Sequence, residues 1–181
     1  WFPCSSVADK TMRKVIFGGA NTLDNYIAGT DDAIDWIRHS NEANAFLADL
    51  WKRIDTQILG RRTYEIAMKT SGDALFGNLK TYVCSRTLKK VSSDKVELAS
   101  DAVSLVKRLK AEAGKDIIVM GGSEIGKSLF EAGLIDELGV NIHPVLLGSG
   151  IPLFAEMDRK IHALGHHGTL GIEHAAGKVS G

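Results

Sequence analysis

Apolar positions along the chain follow two periods, an alternation that marks strands and a recurrence near 3.6 residues that marks helices. Val15 to Phe17 form a short β-rich run closed by Gly18 and Gly19. A polar stretch with Asn21, Asp24, Asn25, Gly29, Asp31 and Asp32 follows without sustained period, which predicts a long loop. With Ser40 or Asn41 as cap, Ala43, Phe46, Leu47, Leu50, Trp51 and Ile54 share one helix face. A strand is predicted near Thr56 to Leu59, ended by Gly60, then a helix from about Thr63 to Lys69, ended by Ser71 and Gly72. Tyr82 to Cys84 and Val96 to Leu98 read as short strands. From Ser100 as cap, Ala102, Leu105, Val106, Leu109 and Ala113 mark a second amphipathic helix that stops at Gly114. The continuous apolar run Ile117 to Met120 suits a strand covered on both faces. A helix from about Ser123 to Ala132 and a strand from about Glu137 to His143 complete the pattern. Strands alternating with helices predict one α/β domain, a mostly parallel central sheet with helices on both faces.

Composition narrows the class without changing that picture. The 181 residues are 44% apolar, with 22 basic against 22 acidic side chains, which excludes a disordered chain or a disulfide-stapled scaffold. A balanced charge offers no general attraction to nucleic acid or to a membrane surface, so neither is an expected partner. The longest uncharged run, Leu138 to Ala155, is interrupted by glycine and proline and reads as a strand plus loop rather than a membrane span. Two cysteines, Cys4 and Cys84, make the cytoplasm the expected location. The first methionine is Met12, so residues 1–11 read as a leader or upstream extension and 12–181 as the domain.

Ligands of open α/β sheets bind beyond the carboxyl ends of the strands. Four predicted exits carry suitable groups: Gly18-Gly19, Gly60-Arg61-Arg62-Thr63, Cys84-Ser85-Arg86-Thr87 and Gly121-Gly122-Ser123. At the last of these, glycines let the backbone approach a ligand and the free amides of a helix start favour an anion. The alternative is a tight turn that needs glycine only for its dihedrals. Arg61 and Arg62 offer two guanidinium groups beside the Thr63 hydroxyl, the alternative being a solvated helix terminus. No carboxylate follows the strand ending at Cys84, whereas Arg86 with the Ser85 and Thr87 hydroxyls can grip a 2′-phosphate. Together the three donor clusters point to one polyanionic small ligand, and a phosphorylated dinucleotide fits. A rival reading comes from Gly121 to Ser128, a literal match to the G-x-x-x-x-G-K-[ST] phosphate loop of phosphotransferases. No apolar strand ending in an Mg²⁺-binding Asp follows it, Glu124 would put a carboxylate in the phosphate cradle, and Lys127 reads more simply as a solvated helix residue.

These residues carry a family resemblance. Ile58-Leu59-Gly60-Arg61-Arg62-Thr63-Tyr64-Glu65 and Val119-Met120-Gly121-Gly122-Ser123 resemble the two cofactor motifs of dihydrofolate reductase. Thr22-Leu23-Asp24-Asn25-Tyr26-Ile27-Ala28 and the run from Pro144 to Phe154 are similar to the reductase domain of riboflavin biosynthesis. The similarity spans about residues 13 to 155, with the motifs in the family's order. It implies a dihydrofolate reductase-like fold that binds NADPH at the strand exits and passes hydride to a ring C=N or C=O of a small-molecule substrate, often as a homodimer. On that resemblance Gly60, Arg61, Arg62 and Thr63 would hold cofactor phosphates, Gly121, Gly122 and Ser123 with Glu124 and Ile125 behind them would meet the pyrophosphate, and Ser85 and Arg86 would sit at the 2′-phosphate. Asp24 would be the catalytic and substrate-side carboxylate, and Trp36 would floor a flat pocket. For Asp24 the alternative is a turn residue bonding its own backbone, and for Trp36 it is core packing.

Departures concern the substrate side. Tyr26 stands where the riboflavin enzymes commonly carry Lys, and Met120 where they commonly carry Glu, so two charges leave the expected pocket. The chain therefore resembles the broad reductase-like branch, and a reductase-like binding protein without turnover is the competing class. The stretch from His162 to Gly181 lacks the family's alternating hairpin. Its histidines, His162, His166, His167 and His174, come without the Cys or carboxylate set that would complete a metal site, so none is expected.

Overall fold

The computed structural model describes residues 12–38 and 41–158. In chain order they form β1 (Val15–Thr22), β2 (Tyr26–Ala28), α1 (Asn41–Lys52), β3 (Ile54–Gly60), α2 (Arg61–Thr70), a 3₁₀ turn at Gly72–Phe76, β4 (Lys80–Cys84), β5 (Val96–Ala99), α3 (Ala102–Ala111), β6 (Asp116–Met120), α4 (Ser123–Glu131), β7 (Glu137–His143) and β8 (Ile151–Pro152). Six strands make one sheet in the order β5-β4-β3-β6-β1-β7, with every neighbouring pair parallel. The short strands β2 and β8 pair antiparallel as a separate ribbon.

Parallel neighbours need crossover helices, and these helices cover both faces of the sheet. Val15, Phe17, Ile58, Tyr82, Ile117 and Val119 point to one face and pack under Leu105, Val106 and Leu109 of α3 and Leu129 and Phe130 of α4. The alternate residues Leu59 and Val83 pack beneath Tyr64 of α2. Ile16, Ile54 and Ile118 pack beneath Leu50 and Trp51 of α1. Neighbouring strand residues are thus buried in opposite directions, which is why Ile117 to Val119 reads as an unbroken apolar run.

Several boundaries differ from the sequence expectation. Gly18 and Gly19 do not end β1, which continues to Thr22. Gly18 sits opposite Gly139 on β7, where an added Cβ would lie 1.8 Å from the Gly139 carbonyl oxygen, so the glycine serves close strand pairing rather than a turn. The first helix stops at Lys52 and its last expected face residue, Ile54, instead opens β3, where the sheet core buries it. Helix α2 starts at Arg61, directly from β3. The cap of α3 is Asp101 rather than Ser100: its carboxylate accepts the Ser104 amide at 2.7 Å, and the helix ends at Ala111, short of Ala113. Ser40, residues 1–11 and the stretch from His162 to Gly181 lie outside the described residues.

Two polar arrangements fix the ends of the sheet. Below it, buried Arg13 forms an ion pair with Asp55 and donates to the Thr56 hydroxyl and the Lys115 carbonyl, both at 2.6 Å. Asp55 also accepts the Lys115 amide at 2.7 Å, so the entries of β1, β3 and β6 are tied together. Above it, the Asp24 carboxylate accepts the Thr22 hydroxyl at 2.5 Å, the Leu147 amide at 3.0 Å and the Gly148 amide at 2.7 Å. It staples the β1–β2 turn to the loop before β8. The Thr22 hydroxyl first, and then the two amides, hold its pKa below the ordinary aspartate value.

Two predictions follow from this packing. Gly18→Ala should destabilise the fold by about 3 kcal/mol, the upper end for overpacking, because carbonyl backbone cannot yield as a side-chain tip can; a lowered denaturant midpoint measures it. Asp24→Asn should lower hydrogen-exchange protection at Leu147 and Gly148. Since the folded pKa of Asp24 is depressed, its contribution is present at neutral pH and lost as pH falls through that depressed value. Acidifying the parent should therefore lower protection at the same two amides, and unchanged protection in both experiments would refute the staple.

Candidate functional site

Two helices begin side by side above the middle of the sheet. Strand β3 passes into α2 at Gly60, which has extended dihedrals and provides no side-chain cap. Strand β6 passes into α4 through Gly121 and Gly122, at φ +60° and +76°, and Gly122 likewise leaves the helix start without a side-chain cap. Two successive left-handed residues favour glycine on conformational grounds. Space demands it at Gly121 as well, where a Cβ would lie 2.5 Å from the Thr63 hydroxyl oxygen, whereas one on Gly60 would meet Gly122 Cα at an ordinary 3.4 Å. Both helix N-termini therefore open with bare amides at the exits of adjacent strands.

These exits form one wall of a cleft of about 1030 Å³. Ser85 and Arg86 after β4 and Ser100 and Asp101 after β5 extend the wall to one side. On the other side lie Gly19 and Ala20 of β1, Ile27 and Ala28 of β2, and Ile151 of β8. The cleft brings together Gly60, Arg61, Arg62, Thr63, Ser85, Arg86, Gly121, Gly122, Ser123, Glu124 and Ile125. It does not include Asp24, whose carboxylate is engaged in the loop staple. Nor does it include Trp36, which is buried edge-on against His143 with ring centroids 5.3 Å apart.

The charges of the cleft are less one-sided than the linear sequence suggests. Arg61 Nη1 donates to both carboxylate oxygens of Glu65 one turn along α2, at 3.0 and 3.1 Å, and Arg62 pairs with Asp32 from the loop after β2. The Ser85 hydroxyl accepts the Thr87 and Leu88 amides at 3.2 and 2.9 Å, shaping its own turn. Although no carboxylate follows β4 in sequence, Asp101 arrives from the neighbouring exit and faces the same end as Arg86. Hydrogen bonds from Ser104, aided by Arg86 and Lys107, lower its pKa and keep it ionised. Cys84 also lines the cleft, and burial, with a smaller push from Asp101, raises its thiol to about 11, so it stays protonated at neutral pH. Sequence reasoning named Cys84 only as the end of its strand and missed Asp101 as a cleft component. For Asp101 a signal existed, an acidic residue immediately before a helix.

The phosphate-loop reading of Gly121 to Ser128 does not match this geometry. Helix α4 already begins at Ser123, so the intervening residues form a helical turn rather than a loop. Gly126 faces the sheet, where an added Cβ would lie 2.6 Å from the Phe17 ring, and Lys127 is not part of the cleft lining. Among the described residues no cluster of three or more His, Cys, Asp or Glu could hold a metal ion; His162, His166, His167 and His174 lie outside them. No helix among them is long and apolar enough to cross a membrane.

Comparison with known proteins gives this architecture relatives. Two Bacillus subtilis (strain 168) proteins, both described as uncharacterized, are similar over most of their length. YyaP is 30% identical over 162 residues, covering 83% of this chain and 85% of that protein. YwjB is 33% identical over 147 residues, covering 80% and 84%. Among solved structures, a provisionally assigned riboflavin biosynthesis protein from Shewanella sp. PV-4 superposes with a TM-score of 0.70 at 28% identity, covering 81% of this chain and 86% of that one. The dihydrofolate reductase of Enterococcus faecalis complexed with NADP(H) shares the fold, at a TM-score of 0.58 and 20% identity over 80% of this chain and 79% of that one. A similar fold match, TM-score 0.59 at 15% identity, covers 80% of this chain and 48% of the bifunctional deaminase and 5-amino-6-(5-phosphoribosylamino)uracil reductase of Thermotoga maritima. The RibD C-terminal domain model matches residues 13–164, which include every exit that builds the cleft, and the chain belongs to the RibD C-terminal domain family.

Proposed function

We propose that this protein is an NADPH-dependent reductase of a small heterocyclic substrate. The observation that carries the reading is the convergence of two uncapped helix N-termini, at Gly60 and Gly122, on one cleft. Bare amides at both sites suit a pyrophosphate, and the Thr63 and Ser123 hydroxyls stand at the same helix starts. Arg86 and Ser85, two strands from β6, would hold the 2′-phosphate. The ion pairs of Arg61 with Glu65 and Arg62 with Asp32 are half exposed, so each contributes about 0–1 kcal/mol and gives way readily to a phosphate. When bound, NADPH supplies the hydride.

The protein's own part is binding, orientation and exclusion of water. The glycines at the β3 and β6 exits keep the cleft floor free of side chains, so a cofactor can lie against backbone. Cys84, protonated at neutral pH, adds no charge to the floor beside the phosphates. Asp101 opposes a 2′-phosphate and would favour a free ribose hydroxyl, so the preference for NADPH depends on Arg86 outweighing it.

Two substitutions test this balance by fluorescence titration of NADPH and NADH in parallel. Arg86→Ala should weaken NADPH about tenfold, the lower range for a charged hydrogen bond at an exposed site, and change NADH less than about threefold. Equal losses for both cofactors would remove Arg86 from the 2′-phosphate. Asp101→Asn keeps a good helix cap while removing the charge, and should tighten NADPH by about two- to fivefold, as expected for removing a screened like charge. Unchanged or weaker NADPH binding in a variant that melts like the parent would show that Asp101 does not face the phosphate.

A further inference from the structure

The cleft is divided along the strand order. Its charged residues all stand at or beside the exits of β5, β4, β3 and β6, with most of its hydroxyls; Thr70 and Ser71 at the far end of α2 and Ser128 in α4 are the others. Beyond β6, at the β1 end, the lining changes character. Ile27 comes from β2, Ile151 from the paired strand β8, and Ile34 and Ile37 from the loop after β2, while Ile66 of α2, one turn past Arg62, lines the same cleft from the β3 side. All five are half-buried, so each shows part of an aliphatic face to the cleft. The backbone of Gly19 and Ala20 closes the space between them.

We infer that this end of the cleft takes an uncharged, carbon-rich ring compound without a phosphate group, and that the substrate belongs to that class. The inference rests on the reductase reading for which end holds the cofactor, and it adds the chemical nature of what lies beside it. Desolvating a phosphate or carboxylate against five isoleucine side chains costs free energy, and the cation beside them, Arg62, is on the reductase reading taken by a cofactor phosphate. The same surface gains by covering an apolar ring, since apolar area leaves water on both partners. Without cofactor, Arg62 is paired with Asp32 from the loop that carries Ile34, so a phosphate taken by Arg62 would leave a carboxylate on that side. Asp24, the carboxylate that would otherwise serve a polar ring, is held by the Leu147 and Gly148 amides. Selection in this pocket therefore works by shape and by exclusion of charge, with backbone groups of β1 left to orient the ring.

Calorimetric titration of the NADP⁺-saturated protein tests the inference with two probes, quinoxaline as a neutral bicyclic heterocycle and uridine monophosphate as a charged pyrimidine. Quinoxaline should bind at least tenfold more tightly. Ile66→Asp, on a half-buried helix position, should weaken quinoxaline at least tenfold while NADP⁺ affinity changes less than about threefold, and Ile66→Leu should restore quinoxaline binding. Equal or tighter binding of uridine monophosphate, or quinoxaline binding unchanged in Ile66→Asp, would overturn the inference. Failure of NADP⁺ to bind the parent would instead remove the cofactor reading. Quinoxaline titrated into the cofactor-free parent and Ile66→Asp proteins then decides the character of this end alone, the same tenfold loss supporting it and no loss refuting it.

Discussion

The site depends on bare backbone at the exits of β3 and β6, and the constraint is tightest at Gly121, which has no room for a Cβ beside Thr63. Gly60 and Gly122 lie opposite each other, so that a Cβ on either would touch the other's Cα at 3.4–3.5 Å, and the Thr63 hydroxyl occupies the space where Gly121 would carry a Cβ. Adjacent parallel strands always deliver their following helices to the same end of a sheet. Here the absence of side chains lets two helix N-termini come close enough to present their amides to one ligand. The requirement is stricter at β6, where two successive residues also adopt left-handed dihedrals.

The opposite end of the sheet is built on the reverse principle. Arg13, Asp55 and Thr56 fill the entries of β1, β3 and β6 with side chains whose polar groups answer one another and the Lys115 backbone. A buried guanidinium is costly to desolvate, and this one is held by a carboxylate, a hydroxyl and a carbonyl together. Gly114 leaves it room, since a Cβ there would lie 2.8 Å from Arg13 Cζ. The three strands whose exits form the middle of the cleft are thus anchored at their entries. A rigid floor with open exits is suited to a ligand that lies across several strands.

Charge in the cleft follows from tertiary neighbours rather than from local composition. Arg61, Arg62 and Arg86 look like a donor-only set along the chain, yet Glu65, Asp32 and Asp101 reach each of them from another turn, loop or strand exit. Exposed pairs of this kind are weak, so they tune the cleft without closing it to phosphate. They also keep the protein from presenting a bare cationic patch, in accord with its balanced composition.

Much of the fold was legible because local and global preferences agree. The alternation of short apolar runs with helical periods determined the parallel sheet and its two helical layers, and glycines beside arginine and serine at strand ends marked residues that line the cleft. Gly18 misled because a glycine that ends a strand and one that lets two strands approach look identical in sequence. Ile54 misled because an apolar residue satisfies a helix face and a strand core equally well. Asp24 could be read as a reacting carboxylate or as a turn residue, and only the position of the Leu147 and Gly148 amides, far along the chain, assigns its oxygens to a staple. The isoleucine wall was invisible for the same reason, because its members come from two strands, a loop and a helix with no common period. Periodicity reports which face of an element is buried, whereas the identity of the groups that meet across a cleft is set by long-range packing.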